Sequence, residues 1–170
     1  MQVYELNDLN HKQQTVVICA MEAAIRFLTN DPTYIPLTAI VIGTGGTGKS
    51  FIINTLIFII QRYTHRNGVV QVAAPSGGSA YNIGGCTLYC CLSLSVDTNQ
   101  RAKDLSEQKQ IDLTNKLKIL IMLVIDKRSM LSSGLIAASE HNIRHCVYGQ
   151  QYQTELWGGI PVVLIFGDNY

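Results

Sequence analysis

Four short apolar runs alternate along the chain with longer segments in which apolar residues recur at helical spacing. The runs cover residues 38–42, 69–74, 119–125 and 162–166, and each is bounded by glycine, proline or charged residues. Short runs of this kind without polar interruption are typical of strands that are buried on both faces of a parallel sheet. We therefore predict four parallel strands, each covered on both faces.

Five helices are predicted around these strands, over residues 11–28, 49–63, 77–83, 105–118 and 133–144. In the first, Val17, Ala24 and Leu28 share one face, and Pro32 follows shortly after its end. Strands that alternate with helices in this way indicate an α/β fold with a doubly wound, mostly parallel sheet. We assign residues 1–170 to a single domain.

Length and composition support one folded domain. The chain has 170 residues, and 47% of them are hydrophobic, which is enough to bury a substantial core. Its net charge of +1 provides no overall attraction for nucleic acid, so a nucleic-acid interface would depend on particular residues. The longest apolar stretches, 51–60 and 119–125, are shorter than the roughly 20 residues that cross a bilayer, and we expect no membrane association.

The cysteines favour a reducing compartment. There are five, an odd number without paired C-x-x-C spacing, and no secretory signal peptide opens the chain. We therefore expect an intracellular protein. A metal site built from four cysteines and two histidines is conceivable, but their spacing matches no structural zinc pattern. These residues are Cys86, Cys90, Cys91, His141, His145 and Cys146.

A glycine-rich loop lies between the first predicted strand and the second predicted helix. It reads Gly43-Thr44-Gly45-Gly46-Thr47-Gly48-Lys49-Ser50, which is the pattern of a Walker A loop. Glycines let backbone N–H groups close around a polyphosphate, and the following helix presents its N-terminus to the anion. We predict that this loop binds a nucleotide, with Lys49 on the β- and γ-phosphates and Ser50 as a Mg²⁺ ligand.

Distinctive residues also follow the other predicted strands. Asp126 closes the run 119–125 in the manner of a Walker B aspartate, which holds Mg²⁺. The segment 74–77 (Ala-Pro-Ser-Gly) follows the second strand, and Gly167 and Asp168 follow the fourth. Ligands collect at the carboxyl ends of parallel strands, so we expect these segments to converge with the loop on one site.

The order of these motifs resembles that of the PIF-type (petite integration frequency) DNA helicases, including their Helitron-transposon relatives. Besides the Walker A loop, the resemblance rests on residues 74–88 (APSGGSAYNIGGCTL), 126–131 (DKRSML) and 158–168 (GGIPVVLIFGD). Residues 9–13 (LNHKQ) also resemble the family's Q motif, in which a glutamine, here Gln13, contacts adenine. Taken alone, Gln13 could equally be a solvated helix residue.

The resemblance implies a RecA-like P-loop NTPase fold with three αβα layers. It implies the first motor domain of a helicase that uses ATP and Mg²⁺ to move 5′ to 3′ along single-stranded DNA. The family acts in DNA repair, recombination and telomere maintenance, which suggests the nucleus, or the mitochondrion, as the location. By the same resemblance, Asp168 begins motif III, which couples the nucleotide state to DNA.

Motif Ia of the family corresponds to the segment after the second strand. There the resemblance assigns Ser76, Gly77 and Asn82 to DNA contacts. Single-strand binding also needs aromatic rings on which bases stack, and Tyr81 or Tyr89 could supply one. Burial in the core is at least as good an interpretation of these two rings.

The chain also departs from the family pattern. Lys127 stands where the family has the Walker B glutamate that activates the attacking water. A charged lysine cannot accept that proton, so we predict hydrolysis impaired by about 10²- to 10⁴-fold. Arg128 replaces an apolar residue, Ser76 a threonine and Tyr89 a histidine. These differences suggest a diverged or decayed copy.

The chain ends at Tyr170, where the family continues with Gln-Leu-Pro-Pro and a second motor lobe. We therefore expect a partial helicase with exposed apolar surface, whose partner lobe, the source of an arginine finger, is absent. One alternative is a nucleotide-binding module that no longer hydrolyses ATP. Another is a P-loop phosphotransferase, although no lid-like arginine cluster is found for it.

Overall fold

The computed structural model describes residues 6–94, 105–146 and 155–168, and within them five parallel strands form one sheet. The strands are β1 (Leu37–Ile42), β2 (Val70–Ala74), β3 (Cys86–Thr87), β4 (Met122–Ile125) and β5 (Val162–Gly167). Their order across the sheet is β1-β5-β4-β2-β3. Strand β5 therefore lies between β1 and β4, and the ends of these three strands are neighbours.

Helices follow or precede each strand. The α-helices of the described ranges are α1 (His11–Leu28), α2 (Lys49–Thr64), α3 (Gly77–Asn82), α4 (Leu88–Cys91), α5 (Glu107–Leu117) and α6 (Ser133–Cys146). Short 3-10 helices occur at Leu6–Asp8, Arg128–Met130 and Leu156–Gly159. Within these ranges, none of the helices combines the length and apolar character needed to cross a bilayer. The predicted domain 1–170 also includes residues 1–5, 95–104, 147–154 and 169–170, which lie outside the described residues.

Two apolar cores lie on opposite faces of the sheet, because successive side chains of a strand point to opposite sides. On one face, helices α1 and α2 pack against a core that includes Val124 and Leu164. On the other face, helices α4, α5 and α6 contribute to a core with Leu123 and Ile125. Strands β4 and β5 are buried along their whole length. This arrangement confirms the predicted three-layer αβα fold.

The expectation of burial on both faces is wrong for β1. Its residues alternate between half-buried and exposed, and the side chains of Ile40 and Ile42 are 53% and 49% exposed. Leu37, Ala39 and Val41 pack against the core under α1 and α2, whereas no β1 residue belongs to the opposite core. The helices on the face with Leu123 and Ile125 cover β2, β4 and β5, and they leave this face of β1 exposed.

Sequence reasoning also missed two elements and misplaced one boundary. Strand β3 and helix α4 were not predicted, since two strand residues and a single helical turn are too short to show a periodicity. The third predicted strand was drawn from residue 119, but β4 begins at Met122. Ile119 is 48% exposed in the turn that precedes it.

Candidate functional site

The glycine-rich loop joins the end of β1 to the first residue of α2, as the sequence predicts. The Gly43 N–H donates to the carbonyl oxygen of Gly167 at 3.1 Å, which ties the loop to the end of β5. Gly46 and Gly48 have φ values of +77° and +80°, a region that favours glycine. A side chain added at Gly45 or Gly46 would meet nothing within 4 Å, so this part of the loop faces open space.

Lys49 is folded back into the loop that precedes it. Its Nζ donates to the carbonyl oxygens of Gly43 at 2.7 Å and Thr44 at 2.9 Å. The same nitrogen forms an ion pair with Asp168 Oδ1 at 2.5 Å. The ammonium group therefore has an anionic partner within the protein, in the place where a Walker A lysine would meet phosphate.

The Asp168 carboxylate interacts with the positive charges of Lys49 and Lys127. The hydrogen bond from Lys49 holds the pKa of the Asp168 carboxyl below its usual value, and the charge of Lys127 acts in the same direction. Lys127 adopts a left-handed backbone with φ of 64°. The next residue, Arg128, packs directly on Gly167, where a side chain would collide with it. The segment after β4 is thus held against the end of β5.

Asp126 and Ser50 are the predicted Mg²⁺ ligands. Asp126 directly follows β4 and is only 5% exposed, and its N–H donates to the carbonyl oxygen of Ala73 at 2.9 Å. Ser50 is exposed in the first turn of α2. A carboxylate and a hydroxyl are suitable oxygen ligands for a hard divalent cation. Among the described residues no group of three or more His, Cys, Asp or Glu side chains could hold a metal ion.

Gln13 lies against the loop and is not simply a solvated residue. It forms a capping box with Asn10 at the start of α1, with hydrogen bonds of 2.8 and 3.0 Å. Its Nε2 also donates to the carbonyl oxygen of Thr47 at 2.8 Å, and a Cβ at Gly48 would lie 2.6 Å from that nitrogen. The start of α1 is therefore hydrogen-bonded to the glycine-rich loop. The contact of Gln13 with adenine stays a prediction.

The predicted DNA-contact residues lie on α3, which follows the end of β2. Ser76 caps this helix by accepting a hydrogen bond from the Ser79 N–H at 3.3 Å. Gly77 and Asn82 are exposed, and the Tyr81 ring is 86% exposed. Tyr89, which sequence reasoning treated as equivalent to Tyr81, is instead partly buried against the core. Of these two rings, Tyr81 is the one available for base stacking.

Sequence reasoning did not anticipate the pairing of Lys49 with Asp168. The two residues are 119 positions apart. The sequence placed Asp168 at the same edge of the sheet as the loop, but it assigned this residue to coupling and not to a contact with Lys49. The signal that would have found the pair is the strand order, because β5 is the immediate neighbour of β1. The motif positions alone do not contain that order.

Comparisons with known proteins show the family of the chain and the likeness of its fold to solved structures. A family model described as PIF1-like helicase matches residues 8–170. The chain is similar to the Pif1 helicase from Bacteroides in complex with ADP-AlF3 and ssDNA, at 24% identity and a TM-score of 0.65 over 94% of this chain and 32% of that one. It is similar to the Pif1 helicase from Candida albicans at 20% identity and a TM-score of 0.68, over 99% of this chain and 33% of that one.

A third similar structure is the Bacteroides Pif1 bound to ssDNA, at 25% identity and a TM-score of 0.55, over 88% of this chain and 32% of that one. The chain thus spans about a third of the length of these solved structures. No curated protein matches it significantly. The structural likeness confirms the RecA-like fold.

Proposed function

Because this chain belongs to the PIF1-like helicase family, we propose that it is the first motor lobe of an ATP-dependent DNA helicase. The observation that carries the proposal is the meeting of three strand ends at one site. The Walker A loop follows β1, Asp168 follows β5, and Asp126 follows β4. In parallel α/β sheets this edge is where ligands bind.

The proposed ligand at this edge is ATP. The loop N–H groups and the N-terminus of α2 provide donors and a positive dipole for the phosphates. Lys49 would exchange its contact with Asp168 for one with the phosphates, and Gln13 would contact the adenine. Ser50 and Asp126 would hold Mg²⁺, which when bound neutralises charge on the phosphate oxygens.

The proposed substrate is single-stranded DNA, along which the complete helicase would move 5′ to 3′. Bacteroides Pif1 has been crystallised with ssDNA, which supports this choice. Ser76, Gly77 and Asn82 would contact the strand, and the exposed Tyr81 ring would stack on a base. Repair, recombination and telomere maintenance of nuclear or mitochondrial DNA are the proposed settings.

A second motor lobe is the proposed partner. RecA-like motors hydrolyse ATP between two lobes, the second of which supplies an arginine finger to the transition state. That the chain spans about a third of the similar solved structures supports such a partner. Neither translocation nor unwinding is therefore proposed for this chain without it.

A second candidate function is nucleotide binding without hydrolysis, and Lys127 favours it. Its positive charge acts on Asp168 inside the site, at the position of the family's general base. Binding would survive this change, because the loop and Lys49 do not depend on residue 127. Hydrolysis would not, because a protonated amine cannot take a proton from the attacking water.

Nucleotide binding to the purified chain tests the proposal. We expect a fluorescent ADP analogue to bind in the presence of Mg²⁺, and Lys49→Ala to weaken binding by at least about tenfold, since a charge-assisted phosphate contact is lost. Lys118→Ala, at an exposed lysine at the end of α5, is the control and should bind like the unmodified chain. A chain that is folded by circular dichroism and binds no nucleotide would contradict the proposal.

A further inference from the structure

Cys86, Cys90 and Cys91 lie in the short segment formed by β3 and α4. This segment is at the opposite edge of the described sheet from β1, which the Walker A loop follows. Thr87 is the N-cap of α4, so Cys86 immediately precedes the cap and Cys91 is the fourth helical residue. Side chains at these two positions characteristically pack together at the start of a helix. In most helices the pair is apolar, whereas here both members are thiols.

Cys86 packs against the apolar core to which the buried Cys91 belongs, so the two thiols lie close together. Cys91 donates a side-chain hydrogen bond to the sulfur of Cys86. Gln71 on β2 donates a second one, from Nε2 to Cys86 Sγ at 3.3 Å. Cys86 is partly exposed, whereas Cys91 is 8% exposed. An accessible sulfur therefore lies next to a sheltered one.

The surroundings of Cys86 stabilise its thiolate form. The hydrogen bond from Cys91 lowers the pKa of Cys86 to about 7, and the charge of Lys116 on α5 acts in the same direction against the effect of burial. The same hydrogen bond, together with burial, raises the pKa of Cys91 above its usual range. Cys86 is thus the better nucleophile of the two, whereas Cys91 keeps its proton.

We propose that Cys86 and Cys91 form a peroxide-sensitive dithiol, in which Cys86 is oxidised first and Cys91 then closes a disulfide. This inference is independent of the proposed helicase function. It requires only an accessible sulfur, a second sulfur in contact with it, and hydrogen peroxide as the oxidant.

The chemistry takes place in two steps. The Cys86 thiolate attacks one oxygen of hydrogen peroxide, the O–O bond breaks, and the hydroxide that leaves takes up a proton to become water. Cys91 then loses its proton and attacks the sulfur of the Cys86 sulfenic acid, which forms the S–S bond and releases a second water. Two thiols are oxidised to one disulfide, and the peroxide is reduced to two waters.

Cys90 is the competing partner, and the structure favours Cys91 over it. The Cys90 N–H donates to Thr87 Oγ1 at 3.2 Å as part of the helix cap, and the residue is exposed. The sulfur that contacts Cys86 by hydrogen bond is that of Cys91. A disulfide between Cys86 and Cys91 would join the end of β3 to the first turn of α4.

Peptide mapping of the whole chain after peroxide treatment tests the proposal. Chymotryptic cleavage after Leu88 and Tyr89 separates Cys86 from the other two cysteines, so a disulfide appears as two peptides joined without reductant. We expect this cross-link in the unmodified chain, in Cys90→Ser and in the control Cys19→Ser. We expect it to be lost in Cys91→Ser, where dimedone should instead trap the Cys86 sulfenic acid.

The pH dependence of alkylation is a second readout, and it needs no variant that might fail to fold. Among the described residues, the titratable groups that act on the pair of Cys86 and Cys91 are the Cys90 thiol on α4 and the Lys116 ammonium group on α5. The rate of Cys86 alkylation by iodoacetamide should be half-maximal near pH 7. A cross-link through Cys90, no cross-link at all, or Cys86 alkylation that is half-maximal only near about pH 8.5, as for an ordinary thiol, would overturn the proposal.

Discussion

Lys49 and Asp168 form an ion pair at the proposed nucleotide site. The ammonium group interacts with a carboxylate and two loop carbonyls of the same chain. If the loop binds ATP as proposed, a phosphate would have to replace that carboxylate before Lys49 could contact the nucleotide. Binding would then be a competition between two anions for one cation.

We expect Asp168→Asn to bind Mg²⁺-free ADP about two- to fivefold more tightly than the unmodified chain, since partly exposed ion pairs have modest strength. The neutral amide would hold Lys49 less firmly, and it would not repel the incoming phosphates. Titration calorimetry at low ionic strength measures the change. Asp31→Asn is the matched control, because that carboxylate also has a lowered pKa but bonds to Thr33. Weaker binding by Asp168→Asn would mean that the carboxylate helps to hold the nucleotide.

We expect Lys127 to prevent ATP hydrolysis at the proposed nucleotide site. In a chain that includes the second motor lobe, we expect Lys127→Glu to raise DNA-stimulated ATP hydrolysis by about 10²- to 10⁴-fold, because a carboxylate can accept the proton of the attacking water. The release of phosphate, measured at saturating ATP, gives the result. The charge-matched control is Lys118→Glu, which changes the exposed lysine that caps the end of α5, before β4, whereas Lys127 follows β4. Equal turnover before and after the Lys127→Glu change would refute the assignment of position 127.

At the scale of elements, the turn into β3 depends on a glycine for close approach of two strands. A Cβ at Gly85 would collide with the backbone carbonyl of Val72 in β2. Backbone atoms cannot rotate away as a flexible side chain can, so β2 and β3 would have to separate. By contrast, a Cβ at Gly78, within α3, would meet nothing within 4 Å.

We therefore expect opposite effects from two glycine substitutions. Gly85→Ala should lower the free energy of unfolding by about 1–3 kcal/mol, as overpacking does in well-packed regions. Gly78→Ala should leave it unchanged or raise it by about 0.5–1 kcal/mol, since alanine is the better helix former. Urea denaturation followed by circular dichroism compares the two. Equal stability of the two variants would show that β2 and β3 tolerate the extra methyl group.

At the scale of the whole molecule, one face of β1 is left uncovered by the described residues and presents exposed apolar side chains. Among the described residues, β1 is also an edge strand, with a hydrogen-bonded neighbour only at β5. The exposed side chains include Ile40 and Ile42, and Ile35, which precedes the strand, is 77% exposed. Edges and apolar patches of this kind promote association between chains.

Ile40→Lys should reduce concentration-dependent self-association of the chain, because it places a charge on this open face. Its stability should change by no more than about 0.5 kcal/mol, as is usual at exposed positions. Sedimentation velocity over a range of concentrations measures the association. Ile111→Lys is the control, because Ile111 on α5 is similarly exposed, at 48% against 53% for Ile40, but lies outside β1. If both variants associate alike, the β1 face is not responsible.

Local sequence patterns were sufficient for most elements. The run before Asp126 predicted a buried strand, and the glycine-rich loop predicted the junction of β1 and α2. Both follow from chemistry within a few residues: apolar side chains at strand spacing, and glycines that permit positive φ at Gly46 and Gly48. Strand β3 and helix α4 could not be recognised, because two and four residues are too few to show a repeating pattern of apolar side chains.

The sequence by itself thus determined the types of most elements, their order along the chain and the position of the glycine-rich loop between β1 and α2. Only the tertiary structure decided that β5 lies beside β1, that Asp168 pairs with Lys49, and that β1 has one open face. It also decided which two of the clustered thiols are in contact. The physical reason is that strand order and layer coverage arise from packing between distant segments, which residue spacing does not encode.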